Sequence, residues 1–194
     1  MNNEILAEHI RMKVDISDEE MQKVITFFTA KSLQKKDILY REGSYVDSMA
    51  FVCSGCLRAY SVDENGFEHI VQFAPEGWWI TDMLALLQQQ KSTLQVEAIA
   101  DSEVLLLKRS EQEKMFEAVP KMERYFRILT ENALCATRQR VIDSMSLSAK
   151  ERYLNFCSTY PDSLLNAIPQ KYVAAYIGVT PEFLSKMRSQ LYRE

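Results

Sequence analysis

The residues best suited to enzyme chemistry are scarce in this sequence of 194 residues. A β-barrel enzyme of the cupin type needs several histidines on one metal, and the chain has only His9 and His69, far apart in sequence. Its five glycines are too widely spaced for GxGxxG or the P-loop, because both motifs need clustered glycines where backbone N–H groups approach phosphate. We therefore expect neither an ATPase, a kinase nor a Rossmann dehydrogenase, and no enzyme.

One cysteine pair, Cys53 and Cys56, has the spacing of a redox or metal motif. The other two cysteines, Cys135 and Cys157, lie on separate helical stretches. A structural zinc site needs four ligands at recognisable spacing, and only one pair is close here. We expect the cysteines to pack as small apolar residues and expect no metal site, with a redox or metal role as the alternative.

The most specific pattern runs from Gln170 to Gln190 and is typical of a helix-turn-helix of 21 residues. Ala174 stands at the fifth position, where a small side chain lets two helices cross closely, and Gly178 stands at the ninth, where the turn needs a positive φ. The apolar positions between the two helices are filled by Val173, Ile177, Val179, Leu184 and Met187. The alternative is an ordinary helical hairpin.

The second helix of this motif has clear start signals. Thr180 supplies an N-cap, Pro181 suits the first helical position, and Glu182 places an acid in the first turn. In a helix-turn-helix this second helix reads base edges in the major groove from its N-terminal turns. The residues on the face away from the apolar set, and so expected to face DNA, are Thr180, Pro181, Glu182, Ser185, Lys186 and Ser189.

Charge suggests separate roles on this face. Glu182 can accept a hydrogen bond from a cytosine amino group, and Lys186 can donate to guanine. Arg188, Lys171 and Arg193 are expected to hold phosphates, which position a protein without reading sequence. For each charge taken alone, the alternative is a solvated surface residue.

The first half of the chain is expected to be rich in strands. Gly43, Gly55, Gly66 and Gly77 recur every 11 or 12 residues between apolar and β-branched runs, which is typical of antiparallel strands in a sandwich or barrel. The expected strands cover residues 49–53, 57–62, 69–73, 93–98 and 104–107. A capping box from Ser17 to Glu20 predicts a helix before them.

A long helix is expected to follow the strands, from Pro120 onwards. An apolar series at alternating spacings of four and three runs along it and ends at Arg140: Met122, Phe126, Leu129, Ala133 and Ala136. Such a heptad seam favours a partner helix, so these residues are expected to line a dimer interface. The alternative is a face packed on the chain's own barrel, where Tyr125 and Ile128 are expected to lie.

The order of these elements resembles the Crp/Fnr (catabolite-activator) family of bacterial transcription regulators. The resemblance is carried by residues 52–60, 98–104, 149–153 and 168–188. It implies an α+β fold with three parts: an N-terminal β-roll of the cyclic-nucleotide-binding type with an N-terminal helix over residues 1–118, a dimerisation helix over 119–146, and a helix-turn-helix domain of winged-helix type over 147–194.

The resemblance also implies a homodimer that binds double-stranded DNA, with RNA polymerase as a candidate partner. The chain ends about three residues after the expected recognition helix, so a C-terminal wing is expected to be missing or reduced.

The resemblance fails in the effector pocket. In cAMP-binding members a Gly-Glu pair holds the ribose, and an Arg followed by Ser or Thr neutralises the cyclic phosphate. The matching frames here hold Thr81-Asp82 and Ser92-Thr93, and Trp79 makes this end of the pocket bulkier. Serine cannot replace the charge and bidentate fork of arginine. We therefore expect no cofactor and no cAMP binding, with another small effector left open.

The distribution of charge along the chain agrees with a DNA-binding C-terminal part. The net charge of −4 argues against a protein that coats nucleic acid indiscriminately. Residues 138–194, however, carry a net +3 against −7 for the rest, which is compatible with local DNA contact.

The remaining expectations concern location and a rival function. No apolar stretch approaches the roughly 18 residues of a membrane span, and the N-terminus has no signal pattern, so no membrane association and a cytoplasmic location are expected. The alternative function is a ligand-sensing β-roll module that contacts protein rather than DNA.

Overall fold

The chain folds as two β-sheets followed by a long helix and a group of shorter helices. The computed structural model describes residues 2–191. The strands are β1 (Phe28–Leu33), β2 (Ile38–Tyr40), β3 (Ser48–Ser54), β4 (Cys56–Val62), β5 (Glu68–Pro75), β6 (Trp79–Ile80), β7 (Gln95–Ala98) and β8 (Ser102–Lys108). The helices are α1 (Asn2–Arg11), α2 (Asp18–Ile25), α3 (Met83–Gln88), α4 (Arg109–Ala118), α5 (Lys121–Ser146), α6 (Ala149–Thr159), α7 (Asp162–Ala167), α8 (Gln170–Ile177) and α9 (Pro181–Leu191).

The strands form two antiparallel four-stranded sheets, in the orders β1–β8–β3–β6 and β2–β7–β4–β5. Both sheets contribute to one hydrophobic core, to which β3 supplies Phe51 and Val52 and β4 supplies Leu57. Helix α1 packs on β3 and β8 through its apolar face, so β3 is buried along almost its whole length. The predicted α+β class and the five predicted strands are confirmed, as is the capping box at Ser17.

By compactness the described chain divides into two units. Unit 1 comprises the residues up to 60 together with 72–132, and unit 2 comprises 61–71 together with 133 onwards. Helix α5 therefore contributes its first half to unit 1 and its second half to unit 2. The domain bounds at residues 118 and 146 stay predictions. None of the helices within residues 2–191 has both the length and the apolar content that a membrane span requires.

A buried ion pair joins two neighbouring strands of unit 1. Arg58 on β4 lies directly opposite Glu97 on β7, and its guanidinium donates to the carboxylate at 2.9 Å. The Tyr60 hydroxyl donates to the same carboxylate at 3.1 Å, and the Arg58 guanidinium lies 3.9 Å from the Tyr60 ring centroid. Because a buried charge needs a partner, these groups specify the register of β4 against β7.

A chain of hydrogen bonds joins β6, at the edge of the other sheet, to α5 and α1. The indole N–H of Trp79 donates to the Tyr125 hydroxyl at 3.0 Å, and that hydroxyl lies 2.7 Å from Nδ1 of His9. The Tyr125 hydroxyl, which accepts from Trp79, can donate its own proton to Nδ1 of a neutral His9. Burial, together with the nearby charge of Lys13, lowers the pKa of His9 from 6.5 to about 4, and burial raises the pKa of Tyr125 above its ordinary value.

This arrangement predicts an acid-sensitive fold. Between pH 6.5 and 4 the unfolded chain protonates His9 while the folded chain keeps it neutral, so the unfolded state binds more protons and stability falls as the pH falls. We expect His9→Gln to flatten this part of the profile of unfolding free energy against pH, measured by urea denaturation. His69→Gln, which removes the exposed histidine, is the control. A His9→Gln profile with the wild-type slope would contradict the prediction.

Candidate nucleic-acid interface

The helix-turn-helix predicted from the sequence is present in unit 2. Helix α8 ends at Gly178, which adopts a left-handed conformation with φ of 75° and donates its N–H to the carbonyl of Ala174 at 3.0 Å. The hydroxyl of Thr180 then accepts from the backbone N–H of Phe183 at 3.2 Å and caps the start of α9. A side chain with a Cβ is strained at this positive φ, so glycine sets the angle at which α9 leaves the turn.

One face of each helix forms the core between them. Leu184 and Met187 on α9 are buried, as are Val173, Ala174 and Ile177 on α8. Because every third or fourth residue of α9 faces inward, the intervening residues are left on the opposite surface.

That surface carries most of the predicted DNA-binding residues. Six predicted residues on α9 and its cap are exposed, as is Lys171 on α8: Thr180, Pro181, Glu182, Ser185, Lys186 and Ser189. Arg188 differs, because it is half-buried, with its guanidinium 5.9 Å from the ring centroid of Tyr153 on α6. The predicted phosphate contact at Arg193 lies outside the described residues, as does any wing after α9.

A shallow concavity lies beside this surface. It has a volume of about 260 Å³ and is lined by Gln170, Ser185, Arg188 and Ser189. Arg188 therefore borders an opening that Gln170, Ser185 and Ser189 also line.

Sequence reasoning missed one exposed residue at the start of α9. The side chain of Phe183 is 52% exposed in the first turn of the helix. An apolar residue at this position, next to a helix cap and outside the apolar series of the motif, was the available signal. Apolar side chains at the start of a recognition helix can contact the methyl group of thymine.

The predicted dimer seam on α5 faces the chain itself along its first half. Met122 is fully buried in the core of unit 1, so its assignment to a dimer interface is corrected. Phe126 packs on Trp79 with ring centroids 5.3 Å apart, and Leu129 also packs against this core. Along this stretch the alternative, a face packed on the chain's own barrel, describes the helix better. Ala133 and Ala136 are exposed, and their role stays a prediction.

A second apolar stripe on α5 is exposed. Leu134, Val141 and Met145 are 61%, 53% and 83% exposed, and their spacings of seven and four place them on one side of the helix. At about 100° per residue this side lies roughly a third of a turn or more from the seam that contains Met122 and Arg140. We call these three residues the exposed stripe.

The predicted effector-pocket residues are brought together only in part. The carboxylate of Asp82 accepts from the Ser92 hydroxyl at 2.7 Å and from the Thr93 N–H at 3.2 Å, and it also caps α3. Asp82 and Ser92 are both buried. Thr81 instead donates its hydroxyl to the Ser48 carbonyl at 3.0 Å.

Trp79 lies in a different environment from these residues. Its ring packs 5.4 Å from that of Phe51 as well as on Phe126, so it belongs to an aromatic cluster between β3, β6 and α5. Its assignment to the pocket stays a prediction. The Asp82 carboxylate, which would have to hold a ribose, is committed to groups of the protein itself.

The cysteine pair has no features of a reactive site. Burial raises the pKa of Cys56 to about 12, and burial, with the acidic side chains of Glu103 and Glu76, raises that of Cys53 to about 11. A reactive cysteine needs a lowered pKa and access to solvent, and both thiols are buried.

The comparisons with known proteins agree with this architecture. Residues 30–118 match the family model described as the cyclic nucleotide-binding domain. Among curated proteins, no match to the chain was found.

Solved structures match over most of the chain. FixK2 from Bradyrhizobium japonicum is 24% identical, with 86% of this chain and 85% of that chain covered and a TM-score of 0.71. CLP from Xanthomonas campestris, described as a c-di-GMP-responsive global regulator, is 11% identical, with coverages of 91% and 92% and a TM-score of 0.72. A protein from Eubacterium rectale described as a putative transcriptional regulator of the crp/fnr family is 15% identical, with coverages of 89% and 82% and a TM-score of 0.67.

These structural neighbours extend the match beyond the β-sheets to α5 and to the helices that follow it. The resemblance read from the sequence is thereby confirmed at the level of the fold. Residues 30–118 thus resemble the cyclic nucleotide-binding domain, and the chain as a whole shares the fold of these structural neighbours, one of which is described as a regulator of the crp/fnr family.

Proposed function

We propose that this protein is a homodimeric transcription regulator that binds specific sequences of double-stranded DNA through α9. The observation that carries the proposal is the geometry of α8, Gly178 and α9, in which one face of α9 is buried and the other presents short polar side chains and a lysine to solvent. A helix with such a face, entered through a capped first turn, fits the major groove.

The exposed residues of α9 divide between base edges and backbone. Glu182, Phe183 and Lys186 lie in the first turns, where a recognition helix meets base edges, and they offer an acceptor, an apolar ring and a donor. We expect Lys171 on α8 and Arg188 beside the concavity to meet phosphates. The net +3 charge of residues 138–194 favours the approach of an anionic duplex.

A second copy of this chain is the proposed occupant of the exposed stripe. A single recognition helix contacts too few base pairs for tight specific binding, whereas a dimer contacts two half-sites separated by about 34 Å. Leu134 and Val141 repeat at seven residues, the period of paired helices. The proposed operator is therefore a near-palindrome, and RNA polymerase stays a predicted further partner.

The proposed dimer does not respond to cAMP. Ser92 replaces the arginine that would neutralise a cyclic phosphate, and Asp82 is already hydrogen-bonded to Ser92 and Thr93. We expect millimolar cAMP to leave the Tm unchanged in a thermal-shift assay, because a ligand that binds only the folded state must raise it. A rise in Tm that saturates with cAMP concentration would show that the pocket is functional.

Selection of bound sites from random duplex DNA tests the proposed function. We expect a near-palindromic consensus, and we expect Lys186→Ala to weaken binding to it by about 1–3 kcal/mol and to relax the preference at one base pair of each half-site. Lys171→Ala is the matched control: it removes an equal charge from α8 and should weaken all sequences alike, lowering the salt slope by about one.

Failure to enrich any duplex would contradict DNA binding and favour the alternative module that contacts protein. Enrichment without a change of preference in Lys186→Ala would retain DNA binding but remove Lys186 from base recognition.

A further inference from the structure

Arg140 is hydrogen-bonded to two parts of unit 2 that are far apart in sequence. Its guanidinium donates to the main-chain carbonyls of Val71 and of Ile70, the latter at 2.6 Å, and to the carbonyl of Tyr176 at 3.1 Å. It also lies 4.0 Å from the centroid of the Tyr176 ring. One side chain of α5 thus joins β5, near the tip of the β4–β5 hairpin, to α8 of the helix-turn-helix.

The carbonyl of Tyr176 is a sensitive point of α8. The last four carbonyls of a helix have no partner within it, and a cation near them is favoured by the helix dipole. Tyr176 is also the second residue before Gly178, the turn that leads to α9. A group that holds this carbonyl therefore holds the end of α8 from which α9 is directed.

The next carbonyl is held from a different helix. Arg152 on α6 donates to the carbonyl of Ile177 at 2.9 Å and to that of Leu147 at 2.7 Å. These bonds join α8 to the start of α6 but do not reach the hairpin. Of these two arginines, Arg140 is the one bonded to the hairpin as well.

The contact of Arg140 with the β4–β5 hairpin is also well defined. β5 is the last strand of its sheet, so the backbone groups on its outer edge are available to a side chain. Ile70 is buried and Val71 is half-exposed, which places the guanidinium at the margin of the hairpin. A lysine could not replace this arrangement, because its single ammonium lacks the planar fork that spans several carbonyls and stacks on a ring.

We propose that Arg140 is a positioning residue for DNA binding, which fixes the end of α8 against residues 61–71 and so aims α9. The proposal rests on the proposed function and names a residue that does not itself contact DNA. Since Arg140 bonds to both elements, the position of the hairpin and the affinity of α9 for DNA are coupled. By linkage, operator binding must then act back on the hairpin.

Amide hydrogen exchange and operator binding together test this role in the full-length protein. The variants are Arg140→Ala and Arg140→Lys, with Arg138→Ala as the matched control because Arg138 is exposed on the same helix two residues earlier. Thermal unfolding and sedimentation establish that each variant is folded and of wild-type mass. Exchange is followed at residues 61–71 and 170–177, with and without the selected operator.

In the free protein, Arg140→Ala should speed exchange in both segments, and Arg138→Ala should not. Operator affinity should fall roughly tenfold in Arg140→Ala, the scale of a lost charged hydrogen bond, with an unchanged salt slope because no phosphate contact is removed. Operator binding should protect the hairpin amides in the wild type but not in Arg140→Ala. Arg140→Lys should restore at most part of each effect.

Two results would overturn the proposal. One is wild-type exchange of the hairpin and of α8 in Arg140→Ala. The other is a salt slope that falls by about one, since Arg140 would then be a phosphate contact. If the wild-type protein binds no duplex at all, the proposed function is what fails, and the exchange of the free protein still decides whether Arg140 joins the hairpin to α8.

Discussion

Glutamate at Val141 is expected to convert the protein to a monomer and to weaken binding to a palindromic operator by roughly 10²–10⁴-fold. Val141 is 53% exposed at the middle of the exposed stripe, between Leu134 and Met145. Two copies paired along this stripe would bring the two glutamates together in an apolar seam, where like charges repel and lose hydration. Each half-site would then be bound by a single copy, without the gain in affinity that comes from joining two copies. Sedimentation equilibrium and operator titration measure the two effects.

Ala136→Glu is the matched control for this prediction. Ala136 is exposed on the same helix but belongs to the seam expected from the sequence, on the side of α5 away from Val141. It should leave the dimer and the operator affinity nearly unchanged. The reverse result, a monomer from Ala136→Glu and a dimer from Val141→Glu, would restore the original seam.

Alanine at Gly55 is expected to lower the free energy of unfolding by roughly 3–5 kcal/mol, from overpacking combined with backbone strain. Gly55 has φ of +82°, and a Cβ there would overlap the hydroxyl of Ser102 and the carbonyl of Asp101 and lie 2.8 Å from Ser102 Cα. Two of these atoms belong to the backbone, so the turn between β3 and β4 would have to move. The Ser102 hydroxyl that accepts from the Cys56 N–H at 3.1 Å would move with it.

Gly66→Ala separates the two causes. Gly66 has the same φ of +82°, but a Cβ there would meet nothing within 4 Å. Its alanine variant should therefore show the backbone strain alone, roughly 1–2 kcal/mol. Urea denaturation of both variants gives the comparison, and equal losses would contradict the steric account of Gly55.

The elements that the sequence predicted well are those set by local chemistry. Gly178 and Thr180 mark the turn and the cap of the helix-turn-helix, and each acts within a few residues of itself. The capping box at Ser17 is likewise formed with the residue three positions on. Such signals depend on no distant partner, so spacing alone was sufficient to find them.

The predicted dimer seam was wrong at Met122 because two apolar stripes run along α5 and the first half of the predicted one packs on the chain's own core. Sequence spacing singled out one of them, and only tertiary packing decides which stripe covers the chain's own sheet. Phe126 meets Trp79, which lies 47 residues earlier in the sequence, and this contact turns the seam inward. Arg140 lies at the end of the seam. Its charge indicates that this part of the helix contacts polar groups.

The effector pocket shows a different limit of prediction from sequence. Serine at position 92, where the resemblance implies an arginine, is visible in the sequence. The bond between Ser92 and Asp82 is not visible there, because it joins residues on either side of α3. Only the structure shows that the group expected to hold a ribose is already committed.

The most direct test of dimeric DNA binding through α9 is a hydroxyl-radical footprint of the selected operator with the full-length protein. If the protein binds DNA as proposed, two copies place α9 in successive major grooves. We expect two half-sites to be protected equally, about 34 Å or one helical turn apart. Protection of both should weaken together as the salt concentration rises. A single protected site, or protection of one groove by a monomer, would contradict dimeric binding.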